Sequence, residues 1–209
     1  MMKIYEFKGF PNPARVRMAL AEKGLMDETI FVHVDLPGGE HQTETFLAKN
    51  PSGAVPVLEL ADGTMISESV AITEYLDHLD GSPVLTGTNA QERGVISMVQ
   101  RKVEVGFLDA IAAYFHHATE GLGPDIEPYQ VAEWGEKQRE KAVVTLHWME
   151  ATLKEREFLV GDRFTVADIT AYAGFLFAGF VKLEIPDDCP KVKAYFDNLA
   201  SRESAALAV

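Results

Sequence analysis

Apolar and polar positions follow two different periods along this chain, and the period changes near residue 80. Before that point, short apolar runs read as strands: Lys3-Ile4-Tyr5-Glu6-Phe7, Ile30-Phe31-Val32-His33-Val34 and Val57-Leu58-Glu59-Leu60. A stretch from about Pro13 to Lys23 has helical spacing, and a less regular piece spans Thr43–Lys49. Asp62-Gly63 supplies a hairpin turn, Thr64-Met65-Ile66 the returning strand, and a helix follows from Glu68 to about Leu79. Strands separated by helices and closed by a hairpin predict an α/β layer over residues 1–80. The turn formers in Asp80-Gly81-Ser82-Pro83 and Thr86-Gly87-Thr88 mark a linker over 81–90. From 91 to 209 the pattern is helical, with runs over 91–118 and 128–156 interrupted by Gly121-Leu122-Gly123-Pro124. The expected architecture is an α/β domain followed by an all-α domain.

One helix start in the second half is written out in full. In Phe164-Thr165-Val166-Ala167-Asp168-Ile169, Thr165 is placed as N-cap and Asp168 reaches back to it, while Phe164 and Ile169 occupy the two staple positions. The helix that follows, to about Phe180, is nearly all apolar and is predicted to be the buried centre of that domain. Asp168 is thereby a folding residue and no candidate for chemistry.

The densest local signal is Asn50-Pro51-Ser52-Gly53-Ala54-Val55-Pro56, followed across the hairpin by Ser67-Glu68-Ser69-Val70. Proline has no N–H for a ladder, so Pro56 fits the mouth of a strand. A cis Val55-Pro56 bond would turn the N–H and C=O of Val55 outward, open to a peptide-like partner. Ser67 is expected as N-cap, with Glu68 and Ser69 in the first helical turn. A helix start offers unpaired N–H groups to a carboxylate, and Glu68 adds a negative group for an ammonium. A backbone edge with grips for both an α-carboxylate and an α-amine describes a site for a small peptide.

Composition narrows the setting. A chain of 209 residues suffices for two modest domains, and no apolar run approaches membrane-spanning length. A formal net charge of −13 argues against nucleic acid and anionic membrane as partners. The single cysteine, Cys189, excludes an internal disulfide and a Cys-rich metal cluster. His116 and His117 are adjacent, without the one-turn spacing of a helical metal pair, so no metal is expected. With no secretory signal in view, a cytoplasmic location is the expectation.

These residues carry a resemblance. The Val55-Pro56 loop and the Glu68-Ser69 helix start are similar to the glutathione-binding half of the soluble, bacterial-type glutathione S-transferase superfamily. The likeness extends to Ile4-Tyr5, Ala21-Glu22-Lys23-Gly24-Leu25, Phe46-Leu47-Ala48-Lys49-Asn50-Pro51 and Phe158 through Ile169, nearly the whole chain. It implies a thioredoxin-like N-terminal domain over 1–80, a linker over 81–90 and an all-helical domain over 91–209. It also implies glutathione as cosubstrate, a small hydrophobic electrophile as second substrate, and a homodimer.

In that superfamily the glutathione thiolate is the nucleophile, and a hydrogen-bond donor to sulfur favours it. Counting back from Lys23-Gly24-Leu25 puts Phe10 where relatives carry Ser, Thr or Cys, and Phe10 has no donor. Two substitutes remain open. Asn12 has an amide that can donate, and its alternative role is N-cap ahead of Pro13. Tyr5 lies near the place where other classes keep a catalytic tyrosine, and its alternative role is packing in a strand. Of the helix cations, Arg15 and Arg17 lie nearest. For glutathione binding the resemblance points to Phe10, His41 and Gln42 beside Val55, Pro56, Glu68 and Ser69, and for the second substrate to Phe107, Ile111, Tyr114 and Phe115. The implied activity is thiolate attack on an electrophile, a peroxide or a disulfide. The alternative, favoured by Phe10, is a non-catalytic glutathione-binding or scaffold protein.

Overall fold

The structure, a computed structural model, describes residues 1–208. The chain forms two compact units, Met1–Pro83 together with the chain from Glu203 on, and Val84–Arg202. The first cut falls inside the expected linker. The second corrects the expectation of an uninterrupted helical domain to the C-terminus, because the last helix joins the first unit.

In the first unit a four-stranded sheet has the order β2-β1-β3-β4, formed by β1 (Met2–Glu6), β2 (Thr29–His33), β3 (Val57–Glu59) and β4 (Met65–Ser67). β1 runs parallel to β2, pairing Tyr5 with Val32, and antiparallel to β3, pairing Tyr5 with Val57. A parallel pair needs a crossover, which helix α1 (Pro11–Glu22) supplies. The short helix α2 (Glu44–Leu47), capped by Thr43, is the irregular piece of the sequence, and α3 (Ser69–His78) follows the hairpin. Ile4, Leu58, Val16, Leu20, Ile72 and Leu76 are fully buried here. Helix α9 (Glu203–Ala208) packs on α1, where the Ser204 hydroxyl donates to Glu22.

In the second unit, α4 (Ala90–Val103) passes through one π-helical turn, Glu104–Leu108, into α5 (Asp109–Ala118). The expected run over 91–118 is therefore one helical path with a bulge in it. A π turn leaves backbone carbonyls without their usual partners, and the Thr145 hydroxyl donates to the Gly106 carbonyl at 2.8 Å. Helices α6 (Ala132–Thr152), α7 (Val166–Phe180) and α8 (Pro190–Ala200) complete this unit.

Helix α7 is the buried centre the pattern predicted, and its capping box is formed. Asp168 is completely buried and accepts four hydrogen bonds, from the Leu159 and Thr165 N–H groups and from the Thr165 and Tyr195 hydroxyls. Burial pushes its carboxyl pKa up against these donors. No helix among the described residues is long and apolar enough to cross a membrane.

Candidate functional site

The Val55-Pro56 loop and the start of α3 both lie in the first unit. The Val55-Pro56 bond is cis. Asn50, nearly buried, organises the loop before it, donating from Nδ2 to the Ala54 carbonyl at 2.7 Å and accepting the Ser52 hydroxyl at 2.9 Å. With the Ala54 carbonyl taken, the N–H and C=O of Val55 are the next polar groups on the chain, and neither has a partner among the described residues. Gly53, at φ 62°, lets this turn close on the preceding loop, since a Cβ there would lie 3.3 Å from the His41 carbonyl. The role of Asn50 escaped the sequence reading, although its Asn-Pro dipeptide is a turn signal.

The helix start differs in register from expectation. Ser67 is still strand, paired with Val57, and the N-cap of α3 is Glu68. Glu68 has φ 69° and no side-chain cap bond, and it is exposed. A bulky non-glycine residue with positive φ is a backbone outlier of the kind held at binding sites. The β3–β4 ladder ends at the Val57–Ser67 pair, directly after the cis Val55-Pro56 bond on one strand and directly before Glu68 on the other.

Ser69 is buried, and its hydroxyl donates to Asn12 Oδ1 at 3.1 Å. The same oxygen accepts Arg15 Nη1 at 3.1 Å, from a side chain only 2 % exposed. Arginine carries donors alone, so the amide atom facing it must be the oxygen. Asn12 Nδ2 is then left free to donate elsewhere, and it has no partner among the described residues. This orienting function of Arg15 was not visible in the sequence. Arg17 is unavailable to a ligand, since it forms a buried pair with Glu6 and stacks over Phe31 at 3.9 Å.

The position of Asn12 also corrects an expectation. The N-cap of α1 is Phe10, in extended conformation, with Pro11 as first helical residue and Asn12 as second. Pro11 and Pro13 have no N–H, and the Ala14 N–H bonds the Phe10 carbonyl at 2.9 Å. The start of this helix therefore offers one open backbone N–H, that of Asn12. One residue presents two donors at a helix end where a negative charge is favoured.

Phe10 and Tyr5 do other work. The Phe10 ring packs edge-on against Phe7 at 4.7 Å between centroids, beside a core of Val34, Leu36, Phe46 and Val57. The Tyr5 hydroxyl is held by the Glu59 carboxylate across the sheet, with Lys49 over its ring. The bond to Glu59, reinforced by burial, raises the Tyr5 pKa, while Lys3 and Tyr5 hold Glu59 low. Tyr5 is a strand residue with its proton committed.

His41 and Gln42 lie on a 3-10 turn, Glu40–Gln42, against the Gly53 loop. Gln42 is exposed, and His41 Nδ1 is buried without a partner among the described residues.

The expected second-substrate contacts are mostly core of the helical unit, which corrects that reading. Phe107 is 0 % exposed; its ring lies against Phe175 and fits only because position 174 is glycine, where a Cβ would come within 2.5 Å. Ile111 and Phe115 are also buried, Phe115 between Phe177 and Phe180. Only Tyr114 of the four keeps open surface, with Arg139 near its ring.

Two family models match the chain: "Glutathione S-transferase, N-terminal domain" over residues 11–79 and "Glutathione S-transferase, C-terminal domain" over 109–203. The chain is 50% identical to glutathione S-transferase 2 of Saccharomyces cerevisiae over 203 residues, covering 97% of this chain and 87% of that one. The crystal structure of Gtt2 from the same yeast superposes with a TM-score of 0.97 at 49% identity, covering 99% of this chain and 100% of that one. A glutathione S-transferase domain-containing protein from Marinobacter aquaeolei superposes with a TM-score of 0.95 at 55% identity, covering 97% of this chain and 99% of that one.

Proposed function

This chain belongs to the glutathione S-transferase family, and from that premise we propose that Asn12 takes the place of the hydroxyl that Phe10 lacks. The protein is a glutathione transferase, in which the thiolate of bound glutathione attacks an electrophilic substrate.

The open Val55 edge pairs with the cysteinyl backbone of glutathione in antiparallel fashion. The first-turn N–H groups of α3 and the Ser69 region hold the γ-glutamyl α-carboxylate, and Glu68 holds its α-ammonium. His41 and Gln42 lie on the side of the loop where the glycine carboxylate would reach. At the sulfur, the Asn12 side-chain amide and backbone N–H donate to the thiolate, favouring the charged form.

The observation that carries this reading is the doubly anchored Asn12 oxygen, which leaves the amide donor pointing away from Arg15 and Ser69. The test is turnover of an aryl halide, a hydroperoxide and a disulfide, with retention on immobilised glutathione measured in parallel. Transfer to the aryl halide is expected; a protein that is retained but turns over none of the three would be a scaffold.

The second substrate is a small hydrophobic electrophile, and the protein acts in the cytoplasm as a homodimer. A groove of about 570 Å³ between α4 and α6 supports the homodimer, lined by Met98, Val105, Val144 and Trp148 and rimmed by Arg101 and Lys141. Met98 and Val144 are 51% and 68% exposed. In a chain of net charge −13, a basic rim around apolar surface suits a second, acidic copy of the chain. Light scattering of the wild type and of Val144→Glu tests this: a dimer that the substitution splits is expected, and a wild-type monomer would refute it.

A further inference from the structure

We infer that His147, Asp188 and Cys189 form a site for one divalent transition-metal ion, zinc above all. His147 lies on α6, and the other two lie in the turn leading into α8. Their ligand atoms all fall within 4.8 Å of one another. His147 Nε2 is 3.1 Å from one Asp188 oxygen, and Cys189 Sγ is 3.9 Å from the other. Zinc bonds of the usual length, set tetrahedrally, require separations of about 3.3 Å between nitrogen and oxygen and about 3.5 Å between sulfur and oxygen. The two contacts use different oxygens of Asp188, and with the donor atoms up to 4.8 Å apart a single ion would need them drawn in by up to about an ångström, a movement open to the exposed side chains of His147 and Asp188.

The histidine is already set as a ligand. Its Nδ1 lies 2.9 Å from the Val143 carbonyl, which only accepts, so Nδ1 carries the hydrogen. In the neutral ring Nε2 then turns a lone pair toward the Asp188 carboxylate. Two lone pairs face each other favourably only with a cation between them, either a proton or a metal. A carbonyl that fixes the remote ring nitrogen is the usual outer partner of a metal-bound histidine.

The frame around the cluster is held independently. Glu150, one turn further along α6, accepts the Val192 N–H at 2.9 Å and so pins the start of α8 to α6. The nearby cation, Lys193, is engaged by Asp187 at 2.8 Å. Cys189 is 0 % exposed, and burial among carboxylates raises its thiol pKa. Metal binding would release the thiol proton to solvent as the metal–sulfur bond forms. Thiolate with imidazole and one carboxylate selects zinc over magnesium or calcium, and the exposed side leaves a fourth position for water. The ion would fasten α8 to α6. None of the three residues belongs to the glutathione site, and the long separation of His147 from the other two hid the cluster from any motif search.

The experiment is titration of the full-length, reduced protein with cobalt(II), followed by zinc competition. Because Cys189 is the chain's single cysteine, a thiolate-to-cobalt charge-transfer band reports this site alone. The wild type is expected to give the band with one equivalent of cobalt and to lose it to zinc. Cys189→Ser should abolish it, and His147→Ala, a change at an exposed position, should weaken binding by at least about tenfold while the protein stays folded. Zinc should raise the Tm of the wild type more than that of His147→Ala. No band in the wild type, or an equal band and equal Tm shift in a His147→Ala, Asp188→Asn double variant, would overturn the proposal.

Discussion

The hydroxyl of Ser69 donates to the side-chain oxygen of Asn12 at 3.1 Å, joining the starts of two helices that lie 57 residues apart. In the proposed binding mode one of those starts serves the glutamyl end of glutathione and the other its sulfur. With Arg15 on the same oxygen, the contact fixes which way the Asn12 amide points before any ligand arrives. Such pre-set orientation spares reorganisation when the thiolate forms.

A substitution at Glu68 should separate binding from stability. Its positive φ costs on the order of 1–3 kcal/mol, which glycine would largely relieve. Glu68→Gly should therefore keep or raise the Tm while raising KM for glutathione about tenfold or more, the scale of a lost charge-assisted contact. Calorimetry with steady-state kinetics reads both. A lowered Tm with unchanged KM would show that the strained residue serves the fold alone.

Tyr5 should prove dispensable for chemistry. Tyr5→Phe removes one bond to Glu59 and leaves Lys3 on that carboxylate at 2.7 Å. Turnover within about twofold of the wild type is expected, with a stability loss of about 1 kcal/mol. A fall of a hundredfold in kcat would return Tyr5 to the sulfur.

The fold and the cis Val55-Pro56 bond were both legible in the sequence because their signals are local. The Val55-Pro56 bond, the Asp62-Gly63 hairpin and the Thr165–Asp168 box are each decided by a few adjacent residues. Registers set by partners were not. Ser67 reads as a cap until its pairing with Val57 claims it for the sheet, which passes the cap to Glu68. Phe10, extended ahead of Pro11, caps α1, and Asn12 is helical although it too precedes a proline, so the pre-proline rule alone did not choose between them. The face of α5 was equally illegible, since burial of Ile111 and Phe115 depends on where α7 lies. So was the oxygen side of Asn12, which Arg15 and Ser69 determine.

Acid should test the helical unit at one named point. The Thr88 hydroxyl and N–H, with Arg163, hold Glu92 at a pKa of about 2, against an ordinary 4.5. A carboxyl lowered on folding stabilises the folded state above its ordinary pKa, and that contribution is lost as pH falls from about 4.5 through about 2. Glu92→Gln should therefore melt below the wild type at neutral pH, with the gap closing as pH approaches 2. A gap that stays constant over that range would place the effect elsewhere than in the charge.

If Asn12 stabilises the thiolate of bound glutathione, the pKa of that thiol will report it. Ultraviolet titration of the thiolate in the complex should give a value below that of free glutathione for the wild type. For Asn12→Ala the value should return most of the way to free glutathione, with kcat/KM reduced about ten- to a hundredfold, as expected for a lost hydrogen bond to a charged group. An equal, lowered pKa in both proteins would rule Asn12 out and require another donor at the sulfur.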